Sequence, residues 1–540
     1  MKKHRILPII IPVLLIPALL LQGCLFPAPR EPAVQEPEEP PVTEVVQPDE
    51  PPATTPPTPG QFTLRYDPGS TLNPISALNR DNIIISSLLY ESLFALDGSL
   101  NAHPVLCESW SSVDNITFIF NIKPDIAMND GTTLTAEDVV YTLRQAMIRG
   151  RYVNRFSTVA SVAVAGDLAV EVELYSPNAR FIRLLDVPII KNGAIDSRLP
   201  PGTGPYRFAD ADDMRLERFL AHRDFSRLPL VSISLIACGD NDLTELFDDG
   251  KLSLIWDDPS DAFDIRLNRL RETRHYDTTA LQFIGFNANH IALRDPYIRR
   301  AISVSIDRQY IIDNIMPQPN MAIAAPLALS PAFHLYDAEW ERQPYPALEE
   351  MALLLVAAGC EDFDSDTFLE LSDGFGGYHE FTIDFIVNSE NTHKVRAAHA
   401  ITNTLRRNGL DVTVRELTAE RFMSALQRGD FDMYYGEIMI GADFNLSPLV
   451  LPGPLNYGKT ANTEYRPFLD DFLAAQSDYS VQWAAKRLVD EIRSNSPIAP
   501  ILYKKHVVYT PIGAISGADP SQSSVFRNFT DWKINLNMLI

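Results

Sequence analysis

Asn129-Asp130-Gly131-Thr132-Thr133-Leu134-Thr135-Ala136-Glu137-Asp138-Val139 reads as a turn that runs into a capped helix. Asp130-Gly131 supplies the turn, because glycine reaches positive φ without steric cost. Thr135 is an N-cap residue, and Asp138 at the third helical position answers it, so each side chain can satisfy a backbone N–H of the other's turn. Val139, Val140, Leu143 and Met147 then recur at helical spacing and form an apolar stripe. Just upstream, Thr117, Ile119 and Asn121 alternate with apolar neighbours between Ile116 and Ile122, the pattern of a half-buried strand. Further along, Arg299 to Ile315 predicts one helix, with Ala301, Ile302, Ile306, Ile311, Ile312 and Ile315 inward. His393 to Arg407 predicts another, closed by Asn408-Gly409, and Asp411 to Arg415 alternates as a strand. Helices followed by short strands, repeated without an internal repeat, make α/β architecture.

At 540 residues the chain exceeds one hydrophobic core, so two or three domains are expected. A formal charge of -24 excludes nucleic-acid binding and adsorption to anionic lipid, both of which need basic surface. Cys24, Cys107, Cys238 and Cys360 include no C-x-x-C pair, and the last three read as small buried hydrophobes. No H-E-x-x-H, G-x-S-x-G or Walker loop is present, and Gly202 and Gly204 precede no Lys-Ser/Thr. His393 and His399 do not share a helical face, so neither a metal site nor a cofactor nor a catalytic residue is expected.

The N-terminus reads as an address. Lys2, Lys3 and Arg5 precede an uncharged run from Ile6 to Leu21 that is short for a membrane span and broken by Pro8, Pro12 and Pro17. It ends in Leu21-Gln22-Gly23-Cys24, which resembles the bacterial lipobox, with Gln22 larger than usual at its place. Residues 1–23 are thus expected to be a lipoprotein signal peptide. Cys24 would carry the lipid that holds the protein to the extracytoplasmic face of the cell membrane. Residues 24–60 are rich in Pro and Glu, lack apolar mass for a core, and read as an extended tether.

Several strings, in order, resemble the solute-binding proteins of oligopeptide ABC importers, the extracellular solute-binding family 5. They are Leu72-Asn73-Pro74, Leu89-Tyr90-Glu91-Ser92-Leu93-Phe94 and Pro104-Val105-Leu106-Cys107-Glu108-Ser109-Trp110, the last with Cys107 where alanine is usual. The turn-and-cap string follows, then Gly202-Thr203-Gly204-Pro205-Tyr206, whose glycines are expected to allow a reversal before a strand. Asp295 to Ile302 with Ile306-Asp307-Arg308, and Ser496-Pro497-Ile498-Ala499-Pro500, complete the series. The likeness extends over roughly residues 62 to 535.

The resemblance implies a two-lobed, periplasmic-binding-protein-like α/β fold of the class II (cluster C) type, with an extra small domain and two crossing hinge strands. Carried over, lobe I combines residues 61–76, 195–283 and 507–540, the small domain covers 77–194, and lobe II covers 284–506. Gly285, Asn287 and Tyr503 lie on the crossing strands as hinge residues. A peptide would be held as an added strand in a cleft that closes over it. Asp443, in Ile440-Gly441-Ala442-Asp443, is the counterpart of the acid that pairs with the peptide's α-ammonium, although Ile440 stands where the family has tryptophan. Glu437 is its rival, Tyr434, Tyr435, Asn445 and Tyr457 are wall candidates, and Ser76, Ala77 and Leu78 would offer a main-chain edge from the other lobe. The implied partners are a short peptide or other small solute and the permease subunits of an importer, with the protein acting as a monomer. A nickel chelate, a sugar, or a sensor role without transport remain alternatives.

Overall fold

Two long antiparallel strands, Arg271–Phe286 and Ile498–Pro511, run through the middle of the computed structural model, and the rest of the fold is arranged about them. The structure describes residues 60–539 apart from 211–212, 261–264, 319, 342–344 and 461. Cys24, the 1–23 leader and all but the last residue of the 24–60 tether fall outside the described residues.

The long pair forms the heart of a seven-stranded sheet. Ile255–Asp257 pairs with Ile498–Pro511 at one end. On the other side of Arg271–Phe286 come Met433–Met439, Ile383–Asn388 and Val412–Leu417. Side chains alternate across this sheet as the pleat requires. Leu281, Phe283, Ile386, Tyr434 and Ile498 enter one core, while Ile284, Phe286, Phe385, Met433 and Tyr435 enter the other. The two cores flank this sheet, and the first also takes in Leu96 and Leu100 from much earlier in the chain.

The register of the long pair slips between Asp277 and Leu281. A bulge leaves backbone groups without ladder partners, and two threonine hydroxyls at the slip bond carbonyls on either side. Thr278 Oγ1 donates to Lys504 O at 2.7 Å, and Thr279 Oγ1 donates to Ile440 O at 2.5 Å. Near the far end, a Cβ on Gly285 would fall 2.1 Å from Tyr434 Cε1, so the tyrosine ring lies flat where any other residue would stand. Asn287 donates from Nδ2 to Phe431 O at 2.7 Å, and the buried Tyr503 hydroxyl donates to Ala328 O at 2.5 Å.

A four-stranded sheet, in the order Thr63–Tyr66, Ser232–Ala237, Asp213–Arg218, Tyr206–Asp210, belongs to the first lobe. A second four-stranded sheet, fully antiparallel, is a small module in itself: Cys107–Ser111, Thr117–Ile122, Ala169–Leu174 and Val159–Gly166. The helix Ala136–Ile148 packs on it, and its N-cap is the reciprocal one read from the sequence, with Thr135 Oγ1 accepting from Asp138 N and the Asp138 carboxylate accepting from Thr135 N. One apolar core runs unbroken from Phe62 and Leu64 of the first lobe through Phe118, Phe120 and Val172 of the small module to Trp532 and Leu539.

Two expectations need correction, the single helix over Arg299 to Ile315 and the burial of Cys238. The helix read over Arg299 to Ile315 is two helices, Pro296–Ser305 and Arg308–Asn314. The chain turns extended at Ile306, and Asp307 caps the second helix by accepting from Tyr310 N at 2.9 Å. Buried Arg308 stabilises the break: its guanidinium donates to the carbonyls of Ile306, Ser303, Ala325 and Pro500. Gly202 and Gly204 also serve close approach, since a Cβ on Gly204 would lie 2.2 Å from Leu89 C. Cys107 and Cys360 are buried as expected, but Cys238 is only partly so.

Candidate functional site

Two adjoining cavities lie between the small module and the second lobe. The first, about 380 Å³, has Arg151, Asn154, Arg155 and Leu184 on one wall and the stretch Glu437 to Gly441 with Asp443 and Asn445 on the other. The second, about 420 Å³, shares Asn154, Ser157, Asn445, Pro448 and Leu455 and continues along Leu451, Pro452, Pro454 and Leu473 toward Tyr175, Arg466 and Asp470. Together they carry charged residues at both ends and an apolar stretch between.

The second-lobe wall is the end of Met433–Met439 and the turn after it. On one side this strand pairs with Arg271–Phe286 along its whole length, from Phe286↔Met433 to Ala280↔Met439. On the other, Ile383–Asn388 accompanies it only at Met433 and Tyr434. From Tyr435 onward that edge has no strand partner among the described residues, and Glu437, Ile438 and Met439 line the cavity. Beyond it, Phe444 takes φ 58, in the left-handed region that costs a non-glycine residue about 1–2 kcal/mol. Its N–H donates to Gly441 O at 2.9 Å, and its buried ring packs edge-on against Phe333, with centroids 5.0 Å apart. The strained turn directs Asp443 inward.

Asp443 is only 2% exposed. Its carboxylate accepts from Asn178 Nδ2 at 2.8 Å and from its neighbour Asn445 N at 3.2 Å. Burial pushes the carboxyl above its ordinary pKa, against the pull of Asn178, Asn445 and Arg180. Arg180 closes the contact from the small module. Its Nε donates to Asp443 O at 3.1 Å, its Nη2 to Phe472 O at 2.8 Å, and its guanidinium stacks 4.1 Å from the Phe472 ring. Burial lowers the pKa of Arg180 to about 10, which leaves it charged at neutral pH.

Glu437 belongs to a charged chain that crosses the long strands. Its carboxylate accepts from Lys504 at 2.8 Å, Lys394 at 2.9 Å and Gln282 at 3.0 Å. Burial works against its charge, but Lys504 and Lys394 outweigh it and hold the carboxyl down at about 2. Lys504 also donates to Asp258 at 2.5 Å, and His506 lies 3.5 Å from the same carboxylate. Burial lowers the His506 pKa despite Asp258, so the ring is neutral at neutral pH. Lys504 thus stands between an acid beside the first lobe and an acid on the cavity wall.

Of the residues singled out in the sequence, Asp443, Glu437 and Asn445 line these cavities. Tyr434 and Tyr435 are buried in the two sheet cores, Tyr434 against Phe283 and Phe431 and Tyr435 donating to Gln282 Oε1 at 2.9 Å. Tyr457 packs edge-on against Tyr434. The Ser76 and Ala77 N–H groups both donate to Asn73 O, and Leu78 is exposed; none of the three lines either cavity. Missed altogether were Arg151, Arg155, Asn178, Arg180, Lys394 and Lys504. No local pattern marks them, and all but Arg151, which bonds its neighbour Tyr152, find their side-chain partners far along the chain. Also unread was the D-x-D-x-D-x-x-x-E spacing of Asp362, Asp364, Asp366 and Glu370, which brings four carboxylate oxygens within 4.8 Å of one another. The loop's own N–H groups engage all four, those of Thr367, Asp366, Phe368 and Phe363.

The sequence pattern of the bacterial extracellular solute-binding proteins, family 5 (middle), matches residues 101–454, which include most of the residues that line the cavities. The chain belongs to this family. Among curated family 5 relatives, the glutathione-binding protein GsiB of Escherichia coli (strain K12) is 23% identical over 261 residues, 45% of this chain and 51% of that protein. The chain therefore spans about half the length of the curated relatives it matches. Among solved structures, CtaP from Listeria monocytogenes superposes with TM-score 0.71 at 20% identity, covering 88% of this chain and 99% of that one. The oligopeptide-binding protein AppA from Bacillus subtilis, solved with a nonapeptide, gives 0.64 at 18% identity, with 88% and 100% covered. NikZ from Campylobacter jejuni, solved with Ni(L-His), gives 0.66 at 16% identity, again with 88% and 100%. The two-lobed periplasmic-binding-protein fold expected from the sequence is the fold of this chain.

Proposed function

We propose that this protein captures a short peptide outside the cytoplasm and delivers it to the permease subunits of an ABC importer. The observation that carries this reading is the edge of Glu437 to Met439, which has no strand partner among the described residues, faces a cavity and belongs to a family 5 fold. An extended peptide can add itself there as a strand, taking affinity from main-chain hydrogen bonds that every peptide shares. Relatives differ in cargo, from a nonapeptide to a nickel–histidine chelate, so the fold leaves the choice of solute to the cleft.

In this reading the first lobe (61–76, 195–283 and 507–540) and the small domain (77–194) close on the second lobe (284–506) about Gly285, Asn287 and Tyr503. The protein acts as a monomer, held at the membrane by lipid on Cys24 and reaching outward on its tether. Native mass spectrometry of the full chain in detergent, before and after mild denaturation, tests capture. Released peptides, or a mass shift on adding a mixed peptide digest, are expected; neither appearing would reject peptide as the cargo. For the anchor, Cys24→Ser should abolish lipid labelling and membrane retention, and unchanged retention would reject it.

A further inference from the structure

The slip in the long strand pair falls where the pair changes companions. Up to Asp277↔Lys505 its flanking strand is Ile255–Asp257, which pairs with Val507 to Tyr509. From Ala280 onward it is Met433–Met439. Between Asp277↔Lys505 and Leu281↔Tyr503, the residues Thr278, Thr279 and Ala280 face Lys504 alone. Thr279 is fully buried there and is bonded in two directions. Toward the cavity wall, its hydroxyl donates to Ile440 O at 2.5 Å, and its carbonyl accepts from Ile440 N at 3.0 Å. Toward the first lobe, its N–H donates to Gln522 Oε1 at 2.7 Å, and its Oγ1 accepts from Gln522 Nε2 at 3.0 Å. A side chain thus completes what the ladder leaves open. Gln522 stands on a loop that Val525 and Phe526 anchor in the first-lobe core, and its neighbour Ser523 donates to Asp186 of the small module at 3.1 Å. Ile440 belongs to a core of the seven-stranded sheet.

We propose that Gln522 is a latch on the hinge, which holds the slip in its present register while the small module meets the second lobe and lets go when the cleft opens. Rotation of two lobes is absorbed by a few residues whose backbone changes. The slip, with Tyr503 at its edge, has fewer ladder bonds to break than the regular pairing on either side. Thr279 travels with Ile440, to which it is bonded twice, and Gln522 travels with the first-lobe core. A rotation at the slip therefore pulls on the bonds between Gln522 and Thr279. In the closed form the Thr279 N–H is out of reach of water, and a buried donor without an acceptor is costly. In the open form water can take the place of the glutamine. The bond is worth more closed than open, and that difference favours closure. Gln522 lines neither cavity, so it acts on the cleft through Thr279 and not on the solute.

The inference rests on the closing cleft of the capture reading above, and one experiment separates their failures. Hydrogen exchange is followed by mass spectrometry on the full chain in detergent. The reporter is the N–H of Ala179 in the small module, which donates to Leu473 O of the second lobe at 2.8 Å and exchanges when the two part. Gln522→Ala should speed exchange at Ala179 about tenfold, the loss of one buried hydrogen bond from the closed form alone. Gln522→Met, which keeps the length and loses the acceptor, should do the same. Exchange within Thr392–Arg407 and Ala169–Leu174, each inside one body, should stay at the wild-type rate. An unchanged rate at Ala179, or an equal increase in every segment, would overturn the latch. So would a wild-type rate in Gln522→Met beside a fast one in Gln522→Ala, which would make the contact one of packing. Adding a mixed peptide digest to the wild type should slow exchange at Ala179. If the digest has no effect while both variants exchange faster, peptide capture fails and the latch stands. If the digest slows exchange and the variants match the wild type, the latch fails and capture stands.

Discussion

Asn178 Nδ2 donates to Asp443 Oδ2 at 2.8 Å, joining the small module to the second lobe across 265 residues of chain. The acid is buried, so the donor matters more than in water: an unsatisfied buried acceptor costs about 1–3 kcal/mol. Asn178→Ala is expected to lower stability by that amount in urea denaturation. Exchanging the pair, Asn178→Asp with Asp443→Asn, should recover part of the loss. Equal stabilities for wild type and Asn178→Ala would mean the bond is not formed in solution.

Lys504 serves two acids at once, Asp258 and Glu437. Removing it leaves buried charge unpaired, which costs about 3–5 kcal/mol, so Lys504→Met should be strongly destabilised at pH 7. The pH dependence has a definite sign. Glu437 is held at about 2 against an ordinary 4.5, so its stabilising contribution is complete above 4.5 and is lost as pH falls toward 2. The stability gap between wild type and Lys504→Met should therefore narrow as pH falls through that window. A gap constant from pH 7 to pH 2.5 would show that the lysine acts by packing alone.

Gly285→Ala places a methyl 2.1 Å from the Tyr434 ring, which is held between Phe283, Phe431 and Tyr457. Overpacking of this kind costs about 1–3 kcal/mol. Tyr434→Ala in the same chain should absorb much of it, so the double variant should be less unstable than the two single losses added. Strict additivity would place the strain elsewhere.

Thr135→Ala removes a helix cap whose hydroxyl also donates to the buried Asp138 carboxylate at 2.8 Å. A loss of about 0.5–2 kcal/mol is expected by thermal unfolding, with Thr135→Ser retaining most of the stability. If Thr135→Ser falls as far as Thr135→Ala, the methyl group rather than the cap is responsible.

That cap was legible because its partners stand three residues apart, as were the strand at Thr117–Ile122 and the helix Thr392–Arg407, whose signals are local periodicities. The break at Ile306 was not, because Arg308 enforces it by reaching Ala325 and Pro500, and apolar spacing carries no record of such reach. The site divides in the same way. Asp443 was singled out through the family resemblance and Asn445 as a wall candidate beside it, and both line the cavities, while Asn178, Arg180 and Lys504 became visible only once the fold brought their partners to them. An arginine in a sequence announces a charge, not the carbonyls it will satisfy.

The core from Phe62 to Leu539 is continuous. The first lobe and the small module share one apolar interior, so they cannot part without exposing it to water, and they must travel together. In a capture protein built this way, Arg151, Arg155 and Asn178 arrive at the solute in one step, already in their final spacing. Departure follows the same route in reverse. The Arg180–Phe472 contact is among those that such a departure would have to break.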